Sequence, residues 1–257
     1  MSSSIISVSH LIKKFPGPNG GTTAVDDISF DVKDGEMFGI LGPNGAGKTT
    51  TLEIIETLQK QTDGKVLVDG VNTLEHPWDV KRRIGVQLQS SNFYPELNLI
   101  DLLNMFGAMY DVEVNPMEML KMVELEDKAK NYVKQLSGGQ KQRFSIASTL
   151  VNKPKIIFLD EPTTGLDPQA RIHLWEMIRK INTDGVTIVL TTHYLEEAEQ
   201  LCDRVAIMDH GKIIAIDSPK KLIDDLLKTG FKRPVETKKA TLEDVFLHMT
   251  GRNLRDE

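Results

Sequence analysis

Apolar and polar residues alternate along the first seventy positions of the chain in the manner of β-strands. In "DISFDVK", Ile28, Phe30 and Val32 alternate with polar residues, which predicts a strand with one buried face. The segment "EMFGIL" at 36–41 is instead continuously apolar, as expected for a strand covered on both faces. A short strand is also predicted in "GKVLVDG" at 64–70, between two glycine turns. This part of the chain is therefore predicted to be rich in strands.

From about residue 92 to residue 135 the apolar positions recur at helical spacing, with Pro95 and Pro116 as interruptions. We interpret this segment as a mainly helical insertion. Methionines are frequent in it, and we interpret them as core packing. The alternative is an adaptable groove for a helix of a partner protein. These methionines are Met105, Met109, Met117, Met119 and Met122.

Strand patterns return after residue 155 and alternate with helical patterns. Such an alternation predicts an α/β fold with a parallel core sheet. The predicted strands lie in 155–161, 186–193 and 204–217, the last as a hairpin. The predicted helices cover 169–182 and 194–203.

Composition narrows the class of protein. The chain has 257 residues, 40% hydrophobic and 26% charged, which is typical of a soluble globular protein. Its apolar runs are far shorter than the roughly 20 residues that span a bilayer, and we expect no secretory signal at the N-terminus. The single cysteine, Cys202, fits a reducing cytosol. A net charge of −6 gives no general attraction to nucleic acid, so no nucleic-acid partner is expected.

The segment "GPNGAGKT" at 42–49 matches the phosphate-loop pattern G-x-x-x-x-G-K-[ST] at every fixed position. It follows a predicted buried strand and precedes Leu52, Ile55 and Leu58 at helical spacing. The alternative is a glycine turn that merely joins a strand to a helix. The Lys-Thr pair and the flanking elements favour a phosphate site, in which backbone N–H groups face a polyphosphate at a helix N-terminus.

Side-chain chemistry extends this site. Lys48 is predicted to reach the β- and γ-phosphates, and Thr49 to ligate Mg²⁺. In "IIFLDE", Asp160 and Glu161 end a buried strand. Asp160 is suited to bind Mg²⁺, because hard cations take oxygen ligands. Glu161 is suited to polarise an attacking water, provided that the chain leaving the strand turns the Glu161 side chain to the same side as Asp160. The alternative is two solvated acids at a strand end.

Three further residues end predicted strands. His193 should reach the same sheet edge, where it could contact the γ-phosphate or hold the water and Glu161 in line; a structural histidine is the alternative. Gln89 could ligate Mg²⁺, or be an ordinary loop glutamine. Phe15 could stack on a nucleobase, or pack in a core.

The stretch "QLSGGQKQRFSIASTL" at 135–150 places a serine and two glycines before a helical run. By itself this indicates an anion site at a helix N-terminus. In order along the chain, however, these motifs together resemble the ATP-binding subunit of an ATP-binding cassette (ABC) transporter, over nearly the whole chain. The matching motifs are Phe15 (base-stacking aromatic), 42–49 (Walker A), Gln89 (Q-loop), 136–140 (signature), 156–161 (Walker B), 165–167 (D-loop) and His193 (switch histidine).

The resemblance implies an α/β fold of the P-loop NTPase class and the ABC ATPase type. This fold has a RecA-like core with a parallel sheet, an antiparallel β-subdomain and a helical insertion subdomain. The implied domains are an ABC ATPase domain at 1–230, with its helical and signature subdomain at about 90–150, and a linker with a short helical tail at 231–257.

The resemblance also implies ATP and Mg²⁺ as ligands, bound between two subunits packed head to tail. The implied ATP-binding residues are Phe15, Gly42, Pro43, Asn44, Gly45, Ala46, Gly47, Lys48, Thr49 and Thr50. The implied signature contacts to the partner subunit's ATP come from Leu136, Ser137, Gly138, Gly139 and Gln140. The implied D-loop residues are Gly165, Leu166 and Asp167; the Mg²⁺ ligands are Thr49, Gln89 and Asp160; the catalytic residues are Lys48, Gln89, Glu161 and His193.

The ending "ATLEDVFLHMTGRNL" at 240–254 resembles the tail of single-domain ATPases of ABC-2 type drug and antibiotic exporters. It implies a separate six-helix permease as partner, a second ATPase subunit in a homodimer, and a peripheral place on the cytoplasmic face of the cell membrane. The chain departs from the pattern of these ATPases in two places. The loop at 15–25 is lengthened by extra glycines, and the linking segment at 222–241 is shorter than in many such exporters.

Two other readings stay open from the sequence. A non-transport relative would use the same ATP-driven closure on nucleic acid or ribosomes, although the chain has no heptad run and no basic surplus. A transporter could instead drive import, or move lipoproteins or polymers.

Overall fold

The computed structural model of the chain describes residues 4–17, 21–88 and 93–231. Gln89 and the tail at 240–254 lie outside the described residues. Among the helices of the described part, none combines the length and the apolar character needed to span a bilayer.

Regular elements alternate along the described residues. The strands are β1 (Ser4–Phe15), β2 (Thr22–Lys33), β3 (Met37–Leu41), β4 (Asp63–Val68), β5 (Val71–Asn72), β6 (Ile84–Gln87), β7 (Ile156–Asp160), β8 (Thr187–Thr192), β9 (Arg204–Asp209) and β10 (Lys212–Asp217). The α-helices are α1 (Lys48–Ile55), α2 (Pro77–Lys81), α3 (Leu99–Tyr110), α4 (Pro116–Met122), α5 (Gly138–Thr149), α6 (Pro168–Thr183), α7 (Leu195–Leu201) and α8 (Pro219–Lys228).

A six-stranded sheet in the order β10-β9-β3-β8-β7-β6 forms the centre of the fold. Its strands pair in parallel from β9 to β6, and β10 closes one edge as the antiparallel arm of a hairpin. Every residue of β3, β7 and β8 is buried, because helices cover both faces of a parallel sheet. The predicted α/β class with a parallel core is confirmed.

A second, antiparallel sheet has the order β2-β1-β4-β5. In β2 the predicted alternation is confirmed, since Ile28, Phe30 and Val32 are buried and the residues between them are exposed. The Phe30 ring stacks on Phe38 of β3, with centroids 5.4 Å apart and planes 3° apart. This contact joins the antiparallel sheet to the core sheet.

Helices α3 and α4 occupy the helical segment predicted at 92–135, and α5 follows it. Pro116 starts α4 as its first residue instead of interrupting a helix. The interpretation of the methionines as core packing is wrong for Met109, Met117 and Met122, which are exposed. The helical spacing of Leu52, Ile55 and Leu58 predicts a longer α1 than the structure has. The helix ends at Ile55, and Leu58 is exposed.

By internal packing, the chain divides into two compact units, 1–221 and 222–257. The division falls within α8, upstream of the boundary predicted at residue 230. In the second unit, Lys228 Nζ forms an ion pair with Asp225 Oδ1 at 2.7 Å.

Candidate active site

The segment between β3 and α1 forms a glycine loop at the carboxyl edge of the core sheet. Gly45 has a φ of 81° and Gly47 a φ of 100°, a left-handed backbone that side chains disfavour. A Cβ on Gly47 would meet the carbonyl oxygen of Ala24 at 2.3 Å, whereas Gly45 has open space on that side. The loop therefore keeps its backbone uncovered at Gly45, directly before the N-terminus of α1.

Lys48 is the first residue of α1, and its side chain is 5% exposed. Its Nζ donates hydrogen bonds to the carbonyl oxygens of Gly42 at 2.8 Å and Pro43 at 3.1 Å. The same Nζ lies 3.8 Å from Glu161 Oε1. A buried cation is thus held between the glycine loop and the end of β7.

Asp160 ends β7 with a buried carboxylate. Thr49 Oγ1 lies 3.4 Å from each of its two oxygens. Thr191 of β8 donates a hydrogen bond to Asp160 Oδ1. The carboxylate is therefore fixed by the neighbouring strand and lies beside the hydroxyl of α1.

Glu161 follows the strand with a φ of 48°, which is uncommon for any residue other than glycine. Its backbone N donates to both the carbonyl oxygen of Thr191 at 3.2 Å and Thr191 Oγ1 at 3.1 Å. Its side chain is 10% exposed and accepts a hydrogen bond from Thr164 Oγ1 at 3.3 Å. This local turn re-aims the Glu161 carboxylate towards Lys48 instead of letting it alternate away from Asp160.

His193 leaves the carboxyl end of β8, and its Nδ1 lies 3.1 Å from Glu161 Oε1. Strand register accounts for this meeting, because Leu41 pairs with Thr192 and Asp160 pairs with Thr191. The three strands β3, β8 and β7 thus end level with one another. The glycine loop, Glu161 and His193 consequently converge on one edge.

The signature segment forms a different site. Ser137 caps α5 by a reciprocal pair of hydrogen bonds, in which Gln140 N donates to Ser137 Oγ and Ser137 N donates to Gln140 Oε1. A polar cavity of about 290 Å³ lies beside this cap. Its lining residues are Ser137, Gly139, Gln140, Arg143, Asp167, Gln169, Ala170 and His173. Within the described ranges, the lining includes no residue of the glycine loop or of the ends of β7 and β8.

The D-loop segment lies next to this cavity. Gly165 has a φ of 79°, and Asp167 caps α6 by accepting a hydrogen bond from Ala170 N at 2.9 Å. A Cβ on Gly138 would lie 4.0 Å from Leu166 Cδ2. The signature and the D-loop are therefore neighbours within the chain.

Phe15 ends β1 with 37% of its surface exposed, so it is not a core residue. Lys13 Nζ lies 4.7 Å from the centroid of its ring. The exposed Phe15 ring at the end of β1 is compatible with stacking on a base. The Lys13 ammonium group lies over the same ring, as in a cation–π contact.

Sequence reasoning missed two residues, one at this edge and one directly after the C-terminal end of α1. Thr191 contacts both Asp160 and Glu161, and its position two residues before His193 in "LTTH" is a signal that the apolar strand turns polar towards its end. Glu56 is 2% exposed, and burial, with the nearby charges of Asp160 and Glu53, raises its pKa from 4.5 to about 8. A glutamate directly after an apolar helical turn gives no comparable signal.

These residues fit a nucleoside triphosphate with Mg²⁺. The open face at Gly45 offers backbone N–H groups for phosphate, and Thr49 with Asp160 supplies the oxygen ligands that hard cations take. No group of three or more His, Cys, Asp or Glu side chains suited to a metal occurs in the described part of the chain. Thr49 and Asp160 would leave further coordination positions of an ion to phosphate oxygens and water, as is common for Mg²⁺.

Comparison with known proteins agrees with this geometry. The family model for the ABC transporter domain matches residues 25–164, which is more than half of the chain. The Nod factor export ATP-binding protein I of Ralstonia nicotianae is 35% identical, with 99% of this chain and 96% of that protein covered. The linearmycin resistance ATP-binding protein LnrL of Bacillus subtilis is 40% identical, with 80% of this chain and 68% of that protein covered.

The fold is also similar to ATP-binding cassettes of known structure. The dimeric post-hydrolysis state of the ATP-binding cassette MJ0796, bound to ADP and Pi, has a TM-score of 0.76 at 30% identity, covering 83% of this chain and 98% of that one. An ATP-binding subunit of an ABC transporter has a TM-score of 0.76 at 26% identity, covering 96% and 100%. The chain belongs to the ABC transporter family, as an ATP-binding subunit that resembles the single-domain ATPases of ABC-2 type exporters.

Proposed function

We propose that the chain hydrolyses ATP as one half of a dimer and thereby powers export through a separate membrane permease. One observation carries the catalytic part of this proposal. Glu161 Oε1 lies 3.1 Å from His193 Nδ1 and 3.8 Å from Lys48 Nζ, so the ends of β7 and β8 and the start of α1 bring a base, its orienting group and a phosphate-binding cation together.

Each side chain has a distinct role in hydrolysis. Lys48 supplies a positive charge for the β- and γ-phosphates, and its buried position keeps that charge in place. Glu161 accepts the proton of the attacking water, and His193 orients the Glu161 carboxylate through its Nδ1. Thr49, Asp160 and Gln89 would hold Mg²⁺, which when bound supplies charge that neutralises the phosphates.

The signature segment supports a shared site. Within one chain it lines a cavity with α6 and not with the glycine loop, although its capped helix N-terminus suits an anion. In the proposed dimer, Ser137, Gly138 and Gly139 contact the γ-phosphate of the ATP that the other subunit's glycine loop holds. Both ATP molecules then join the subunits, and hydrolysis separates them.

Two relatives, one named for Nod factor export and one for linearmycin resistance, support the direction of transport. The permease partner would place the subunit at the cytoplasmic face of the membrane. The helical segment between α3 and α5 would carry the closure of the dimer to that permease.

The variant Glu161→Gln tests the catalytic assignment. It preserves size and hydrogen bonding but removes the proton acceptor, so ATP binding should persist while turnover falls by ~10²-fold or more. Light scattering should then detect a dimer that depends on ATP. Turnover near that of the wild type would show that Glu161 is not the base.

A further inference from the structure

One side of α6 faces α7 through three successive contacts. The α6 residues are four positions apart and therefore share one face of the helix. The contacts run in the same direction along both helices, so α6 and α7 lie side by side in parallel. The pairs are Arg171 with the Tyr194 ring (Cζ to centroid 5.0 Å), Trp175 Nε1 with Glu197 Oε1 (3.1 Å) and Arg179 Nη2 with the Gln200 carbonyl oxygen (2.8 Å).

The first of these contacts continues into the active site. The Tyr194 ring lies 4.1 Å from the His193 ring, centroid to centroid, with the planes tilted by 39°. His193 Nδ1 in turn lies 3.1 Å from Glu161 Oε1. A guanidinium, a phenol ring, an imidazole and a carboxylate thus follow one another from α6 to the end of β7.

The first two members of this series, Arg171 and Tyr194, are placed for stacking. Tyr194 occupies the N-cap position of α7, yet its side chain forms no capping hydrogen bond to the helix. Its backbone N donates to Thr192 Oγ1 at 2.9 Å, which fixes the start of the turn. The Nε atom of Arg171 is buried and has no hydrogen-bond partner among the described residues, so at this atom the cation faces the aromatic ring without a competing hydrogen bond.

Arg171 also lies one turn after Asp167, the N-cap of α6 and the last residue of the D-loop. The stack therefore joins the segment beside the signature cavity to the histidine of the catalytic edge. Neither Arg171 nor Tyr194 takes part in the hydrolysis roles described above.

We propose that Arg171 and Tyr194 are positioning residues for His193. A ring face at 4.1 Å restricts the rotamers of the imidazole, and the cation beyond it restricts the ring. Together they keep Nδ1 directed at Glu161 and tie this orientation to the start of α6. The inference rests on the proposed function, because it requires Glu161 and His193 to act in ATP hydrolysis.

Steady-state ATP hydrolysis by the purified full-length chain tests the inference. Tyr194→Leu and Arg171→Met should each lower kcat by ~10-fold while the KM for ATP changes by less than about twofold, because small displacements of catalytic groups are costly and the nucleotide contacts are unchanged. Tyr194→Phe keeps the ring and should keep kcat within about twofold of the wild type. This conservative variant separates positioning from misfolding.

Two further variants make the test specific to His193. In a His193→Ala background, Tyr194→Leu should cause no further loss of kcat, because the residue that it positions is gone. Arg179→Met removes the contact at the far end of the same helix pair, and it should leave kcat unchanged.

The outcomes distinguish the two proposals. An unaltered kcat in Tyr194→Leu and Arg171→Met, with turnover abolished in Glu161→Gln, would overturn the positioning role and leave the proposed function intact. Equal losses in Arg179→Met, or additive losses in the His193→Ala background, would likewise overturn it in favour of general helix packing. Persistent turnover in Glu161→Gln would instead overturn the proposed function.

Discussion

The Thr191 hydroxyl donates a hydrogen bond to the carboxylate of Asp160, the residue that pairs with it on the adjacent strand. The same hydroxyl accepts a hydrogen bond from the backbone N of Glu161 at 3.1 Å. Both Thr191 and Asp160 are buried. One side chain therefore fixes the proposed metal ligand and the backbone that carries the proposed base.

Replacing the Thr191 hydroxyl should lower kcat as well as the free energy of unfolding. Thr191→Val keeps the shape but leaves the buried Asp160 carboxylate, among the described residues, with only the 3.4 Å contacts of Thr49, so it should lower the free energy of unfolding by about 1.5–3 kcal/mol. It should also lower kcat by ~10-fold, because Asp160 and Glu161 lose their fixed positions. Urea unfolding and ATPase assays measure the two effects.

Thr187→Val is the matched control. Thr187 lies at the other end of β8, is fully buried and accepts a hydrogen bond from Gly35 N at 2.9 Å. Loss of the Thr187 hydroxyl should lower the free energy of unfolding and leave kcat per folded molecule unchanged. A similar fall of kcat in both variants would contradict a specific role for Thr191.

A mixture of two inactive variants should regain activity. Lys48→Ala disables the glycine loop, and Ser137→Arg blocks the signature. In a mixed dimer both defects fall on one site and the other site is intact. With independent sites and random pairing, an equal mixture should recover roughly a quarter of the wild-type activity.

Lys48→Ala mixed with Glu161→Gln provides the control. Lys48 and Glu161 lie 3.8 Å apart in one chain, so every site of such a dimer keeps one defect. This mixture should stay inactive. Equal recovery in both mixtures, or none in either, would argue against sites shared between subunits.

Convergence of the site could be predicted from the sequence, because it follows from topology. Parallel strands that alternate with helices bring their carboxyl ends to one edge, and the residues that follow β3, β7 and β8 meet there. Lys48 could be identified from the phosphate-loop pattern, and Asp160 and His193 because each stands at the end of a predicted buried strand. The roles assigned to them stay predictions.

Other features depend on tertiary structure. The left-handed φ of Glu161 is set by backbone and side-chain hydrogen bonds to Thr191 on another strand, which local sequence does not specify. The exposure of Met109 and Met117 likewise depends on how α3 and α4 pack, since helical spacing alone does not distinguish a covered face from an open one. The contact of Arg171 with the Tyr194 ring joins two helices, so the local sequence around either residue does not predict it.

Two glycines of the phosphate loop should differ in their tolerance of alanine. Both have a left-handed backbone, so each substitution costs about 1–2 kcal/mol in conformational strain. Gly47→Ala adds a clash with the carbonyl oxygen of Ala24, whereas Gly45→Ala enters open space. Urea unfolding without nucleotide should therefore show a clearly larger loss for Gly47→Ala. Equal losses would mean that the backbone at Ala24 yields to the new methyl group.

Glu56 should make the stability of the nucleotide-free chain fall as pH rises. Its pKa is about 8 in the folded chain, raised first by burial and then by the charges of Asp160 and Glu53. The unfolded chain releases this proton near pH 4.5, so between the two values the folded state binds more protons and loses stability with increasing pH.

Glu56→Gln removes this ionisation from a side chain that is 2% exposed. The variant should therefore gain stability relative to the wild type by roughly 2–4 kcal/mol between about pH 5 and about pH 8.5. Urea unfolding at both pH values, without nucleotide or Mg²⁺, measures the difference. Glu199→Gln, which removes an exposed carboxylate from α7, controls for the change of charge alone. A stability difference that stays constant with pH would show that Glu56 is ionised in the folded chain throughout this range.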